Sequence, residues 1–275
     1  MMEVENGSSL YLVGKMVAES DKYRLYLCKQ KESGRQCLLQ IATTIEQNSG
    51  LDRAAYILKE LKQRSDETEE AYARDKTDSK DLLNYDLGFP ELIESFICSQ
   101  QLGRRVNIIA FRNVDDVSKM IPISNINAKD RLRVDLRTSV WIMGKLLKLL
   151  VFTHNEGISV NFLTGKNVLI YPDQHYVLIF DWSGAQIHPE DVPFEIRQLE
   201  ISRVAQAVIA VLGGDLATGI IPNDGDEAFG RYTDYLLRLA RGNESKAERA
   251  HMQFYELVDT LWKRGFYPFT TTSLH

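Results

Sequence analysis

An amide at Asn167 and a carboxylate at Asp181 are the residues best placed by type and context to do chemistry. Asn167 opens a short apolar run, Val168-Leu169-Ile170, and Asp181 closes a second one after an intervening turn. An amide oxygen and a carboxylate are adequate hard ligands for Mg²⁺ when phosphate oxygens supply the remaining positions. The same residue types also cap turns and end strands with no chemical role, so this reading needs support from the elements around them. Other chemistries find no pattern. His154, His175, His188, His251 and His275 are scattered, with no HExxH or paired ligand spacing. There is no GxSxG elbow, no Cys–His nucleophile arrangement, and no GxxxxGK[ST] or GxGxxG phosphate loop.

Composition narrows the classes further. The chain has 275 residues and a formal net charge of −5, a balance that argues against nucleic acid, whose phosphates demand concentrated Lys and Arg. Cys28, Cys37 and Cys98 form no CxxC pair, so reduced thiols in a cytoplasmic protein are expected. The acidic, polar N-terminus does not read as a signal peptide. The most apolar window, 140–152, carries Lys145 and Lys148 and is too short to span a bilayer.

The elements that must position Asn167 and Asp181 follow from periodicity. Apolar or alternating runs at 11–17, 23–30 and 37–42, with a turn at 31–35, predict an antiparallel meander. A helix is expected over 51–64, with Leu51, Ala54, Ala55, Leu58 and Leu61 on one face. The charged segment 65–81 reads either as its extension into solvent or as an insertion. Strands at 89–96 and 106–111 complete a five-stranded sheet with one helix over residues 1–112. Residues 112–130 read as a connector. Helices are then expected at 135–154, 195–212 (ended by Gly213-Gly214), 226–241 and 245–264, giving a helical half over 113–275. Strands plus one helix followed by helices is an α+β order.

That order, together with the segment 154–181, resembles the protein kinase family, in which a loop Asp, a loop Asn and a second Asp handle nucleotide phosphates and metal. Counted without a gap from His154 to Asn167, Val160, Asn161 and Phe162 fall on the family's His-Arg-Asp. A one-residue shift puts Asn161 on the Asp. Neither Phe162 nor Asn161 can take a proton from a substrate hydroxyl near neutral pH. Asp181-Trp182-Ser183-Gly184 resembles the Asp-Phe-Gly motif with Ser for Gly. The three glycines of the family's first hairpin fall on Ala18, Ser20 and Tyr23, where a Cβ or a phenol hinders close backbone approach to phosphates. Gln40 stands at the Lys position and brings no charge. Glu60 is the candidate for the helix Glu that pairs with that Lys, and Lys15, Lys22 or Lys166 could supply the cation instead. Glu200 resembles the family's carboxylate that holds the catalytic loop. The short stretch 183–194, with no Ala-Pro-Glu after it, implies a reduced peptide platform.

The resemblance implies a bilobal protein kinase-like fold. It makes Asn167 and Asp181 the metal ligands, and places Ala18, Ser20, Gln40, Glu60 and Lys166 on the nucleotide side. ATP and Mg²⁺ are the candidate cofactors, neither of them certain. With degenerate positions at Gln40, Asn161 and Phe162 and no catalytic residue expected, the favoured expectation is a pseudokinase: a cytoplasmic binding or regulatory module with a protein partner, and with neither nucleic acid nor membrane. The alternative is a divergent ATP/Mg-dependent phosphotransferase or nucleotidyltransferase. A chance coincidence of element order in an unrelated α+β protein is the third.

Overall fold

A computed structural model describes residues 2–7, 9–75, 82–162, 165–223 and 225–274. The chain forms two compact units, one of Met1–Met120 with Ile179–Ala185, the other of Ile121–Leu178 with Gln186–His275. The division thus falls after Met120, and the segment carrying Asp181 is part of the first unit.

The first unit is built on an antiparallel sheet. Its strands are β1 (Met2–Asn6), β2 (Ser9–Glu19), β3 (Tyr23–Gln30), β4 (Gln36–Ala42), β5 (Glu91–Cys98) and β6 (Arg104–Ala110), in the order β1-β2-β3-β4-β6-β5. Among the described residues six strands, not the expected five, make the sheet. The additional one is β1, which the polar N-terminus concealed. It pairs along β2 from Met2↔Val13 to Asn6↔Ser9, and Val4 enters the core. An edge strand needs a partner's backbone ladder more than an apolar pattern of its own. The sheet curls until β1 and β5 meet through side chains: the Asn6 Nδ2 and Ser9 Oγ donate to Glu94 at 2.9 and 2.8 Å, and the Glu5 amide donates to Gln100 Oε1 at 3.1 Å. Inside the curl lie Val4, Tyr11, Val13, Cys28, Cys37, Leu39, Ile41, Cys98, Val106, Ile108 and Ala110.

The opposite face of the sheet receives α1 (Asn48–Asp75) through Leu51, Ala54, Ala55, Ile57, Leu58 and Leu61. The charged segment continues this helix as far as Asp75, and residues 76–81 lie outside those described. Pairs one turn apart support the extension, Lys62 with Asp66 at 2.5 Å and Gln63 with Glu67 at 2.8 Å. Glu69 accepts from the Leu83 and Asn84 amides at 2.9 and 3.1 Å.

The second unit is mainly helical. Its helices are α2 (Ile123–Ala128), α3 (Leu136–Asn155), α4 (Phe194–Val211), α5 (Phe229–Ala240) and α6 (Ala247–Leu261). Asp135 caps α3 by accepting from the Thr138 amide at 2.7 Å. Among the described residues seven short strands accompany the helices: β7 (Ile121–Pro122), β8 (Leu132–Val134), β9 (Ile158–Ser159), β10 (Val168–Tyr171), β11 (Tyr176–Ile179), β12 (Gln186–Ile187) and β13 (Thr271–Ser273). They form a three-stranded sheet, β11-β10-β7, and the pairs β12-β9 and β13-β8. The stretch read as a connector, 112–130, therefore contains a strand and a helix. Both are too short for periodicity to register, and α2 is held by two buried residues, Ile123 and Ile126. Among the described residues no helix is long and apolar enough to cross a membrane.

Candidate functional site

In the first unit the site grows out of strand alternation. Cys37, Leu39 and Ile41 of β4 point into the curl, so Gln40 must point to the face that carries α1. Its neighbour in register, Asn107, donates to the Leu51 carbonyl of α1 at 2.9 Å. Gln40 is 1% exposed, and its Nε2 donates to Asp181 Oδ1 at 3.4 Å. The sequence separates these two residues widely, and the fold brings them together.

Asp181 sits in a segment wedged by aromatic contacts. Phe180 meets Tyr23 edge-on at 5.9 Å, Trp182 meets Phe89 edge-on at 6.4 Å, and the Trp182 indole donates to the Ile179 carbonyl at 2.7 Å. The Asp181 carboxylate turns back to accept from the Ser183 amide at 3.0 Å, a local turn that Asp favours. Desolvation raises its pKa, against the opposing effect of hydrogen bonds from Ser183 and Gln40 and of the Lys22 charge. Gln40 can share a hydrogen bond but cannot neutralise the carboxylate.

The β2–β3 hairpin has spent its amides. The Ser20 Oγ accepts from Lys22 N at 3.1 Å and from Tyr23 N at 3.2 Å, and the Ser20 amide donates to the Tyr23 carbonyl at 2.9 Å. Thr43 ties the same turn to β4 by donating from its amide to the Lys22 carbonyl and from its hydroxyl to the Asp21 carbonyl. A phosphate cradle needs amides that are free to point at the anion. Here the donors at 20, 22 and 23 already have partners. Ala18 lies opposite Leu25 in the ladder, beside a register shift in β2. The Tyr23 phenol is buried at 3% exposure, and burial followed by the Asp181 charge pushes its pKa up.

Glu60 is half-buried on α1 and pairs with Arg64 at 3.3 Å. It stands off the stripe formed by Leu51, Leu58 and Leu61. Lys15 is exposed, whereas the half-buried Lys22 acts electrostatically on Asp181.

In the second unit the centre is Glu200. It lies in the interior of α4, which begins at Phe194. Its Oε1 accepts from the Val160 amide at 2.7 Å and the Asn161 amide at 2.5 Å, while its Oε2 meets His154 Nε2 at 2.9 Å. Glu200 is 1% exposed and His154 is 6% exposed. The carboxylate thus locks the loop after α3 to two helices, and it holds Asn161 in the left-handed region at φ 55°. Phe162 is fully buried, and its carbonyl accepts from Arg203 Nη1 at 3.0 Å. Asn167 is 1% exposed in the turn before β10, and Lys166 beside it is exposed.

The structure therefore gathers Gln40, Asp181, Ser20, Tyr23 and Lys22 in one unit. It places Asn161, Phe162, Lys166 and Asn167 in the other. Among the described residues no group of three or more His, Cys, Asp or Glu could hold a metal ion. A cation at Asp181 or Asn167 would rely on amide and phosphate oxygens. Sequence reasoning named Ser183 without its bond to Asp181 and missed Arg203. An Asp-x-Ser turn and a lone helical Arg are too common to stand out before their partners are known.

No protein-family model matches this chain, and no curated protein does. Solved structures do. The PknI kinase domain of Mycobacterium tuberculosis aligns with a TM-score of 0.54 at 13% identity, over 90% of this chain and 96% of that one. The BubR1 kinase domain aligns with a TM-score of 0.61 at 13% identity, over 94% of this chain and 83% of that one. The chain has the bilobal α+β fold of protein kinase domains.

Proposed function

We propose that this protein is a pseudokinase, a kinase-like scaffold that binds and regulates a protein partner without transferring phosphate. The observation that carries this reading is the buried Gln40–Asp181 pair. Where phosphoryl transfer relies on preorganised positive charge, β4 offers a neutral amide that leans on the carboxylate assigned to the metal. The hairpin amides taken up by Ser20 support the same reading, as does the lack of a usable base at either position the resemblance offers, Asn161 or Phe162. Loss of a general base costs about 10² to 10⁴ in rate, and loss of one preorganised electrostatic group about 10² to 10³ more. A cytoplasmic setting and a protein partner are part of the proposal.

A divergent Mg-ATP transferase is the second reading. What favours it is Lys22, a cation from the β2–β3 turn whose charge reaches Asp181. Incubation with radiolabelled ATP and Mg²⁺ tests the first reading: no label should pass to the protein or to a generic substrate, and robust transfer would refute it. Melting temperature with ATP, Mg²⁺ and both together tests the second. A ligand at about 100 times its Kd stabilises by about 2.7 kcal/mol. A shift abolished by Asp181→Ala and by Lys22→Ala would favour the transferase.

A further inference from the structure

We propose that Cys28 and Cys37 form a reversible disulfide inside the first unit when the protein meets a peroxide. The two residues are direct partners in the β3–β4 ladder. Directly opposed residues on antiparallel strands have Cα atoms about 4.5–5.5 Å apart, inside the range a disulfide spans. Their side chains point to the same face, and the sulfurs lie 3.0 Å apart as free thiols. The sulfurs must close from 3.0 Å to about 2.05 Å for the bond to form.

Their surroundings make the two thiols unequal, the hydrogen bond with Cys37 and burial pushing the Cys28 thiol up. Of the pair, Cys37 is the readier thiolate. The hydrogen bond from Cys28 holds its pKa below the usual thiol range against the opposing effect of burial, and the Arg35 charge adds to the lowering. Both thiols are buried in the curl, Cys28 at 5% and Cys37 at 1% exposure. One thiol takes an oxygen from peroxide to become a sulfenic acid, releasing water. The second sulfur then attacks the first, the S–O bond breaks, a second water leaves, and the S–S bond remains. Two thiols lose two electrons and two protons to one peroxide. Cys98 lies in the same core cluster but is partnered elsewhere, its sulfur 3.9 Å from Gln100 Oε1.

The test uses the whole protein, fully reduced and then exposed to hydrogen peroxide in the folded state. After quenching, unfolding and alkylation, one thiol of three should react. The intact mass before alkylation should fall by about 2 Da, and digestion should yield a peptide linking Cys28 to Cys37 that dithiothreitol separates. Cys98→Ser should leave that yield unchanged. Three alkylatable thiols after peroxide, a link that includes Cys98, or the same linked yield from protein oxidised in denaturant would each overturn the proposal.

Discussion

Two buried carboxylates divide the molecule. Glu200 in the second unit receives hydrogen bonds from the Val160 and Asn161 amides and contacts His154. Asp181 in the first unit counts among its partners the Ser183 amide of its own turn and the neutral Gln40. Burial raises the pKa of Asp181 despite these bonds. An anion that holds backbone in place is well solvated by the protein. An anion whose pKa burial raises carries a desolvation penalty on its charged form. The first arrangement stabilises a loop, and the second puts a desolvated charge beside Gln40.

The strongest way to break this comparison is Glu200→Ala. It strands two amides, each buried donor costing about 1–3 kcal/mol, so urea unfolding should report a loss of about 3–5 kcal/mol. A loss below about 1 kcal/mol would place Glu200 outside the framework. Phe162→Ala should follow closely. A fully buried ring that packs like core costs about 3–5 kcal/mol on truncation, whereas a side chain held ready for chemistry would cost little. Both values come from the denaturant midpoint at unchanged m-value.

Asp181→Asn sharpens the contrast through pH. The folded-state pKa of Asp181 is raised, so its contribution is fully present below the unfolded value and is lost as pH rises through the folded one. Wild-type stability should fall over that window, and Asp181→Asn should remove that part of the slope. A parallel pair of stability–pH curves would show the carboxyl to be ionised without penalty. Gln40→Lys should act in the same direction by supplying the missing charge, lowering the Asp181 pKa and flattening the slope. The smallest effect is expected for Ser20→Ala. Its hydroxyl serves two amides at a half-buried turn near solvent, and its loss should cost about 0.5–1.5 kcal/mol in the same unfolding assay.

How much was legible before the fold was known varied with the kind of signal. The alternation at 23–30 and the apolar run at 37–42 lie where β3 and β4 form, and the helical periods at 135–154 and 195–212 lie where α3 and α4 form, within a residue or so at each end. These elements carry their own burial pattern. β1, α2 and the short strand pairs do not. They exist because a neighbour offers a ladder or a pocket, and that information is spread over distant parts of the chain. In the site, that Gln40 carries no charge and that neither Asn161 nor Phe162 can act as a base near neutral pH follows from residue type alone. The amides consumed by Ser20 and the two donors gathered by Glu200 do not.

The amino-acid sequence by itself determined the order of strands and helices and which functional groups each position could offer, because periodicity and side-chain chemistry are local properties. Only the tertiary structure decided that Gln40 reaches Asp181, that Glu200 holds the loop from inside a helix, and that two cysteines face each other across a ladder. Those are distances between residues apart in the chain, and the burial that sets the Asp181 pKa arises only when the elements pack.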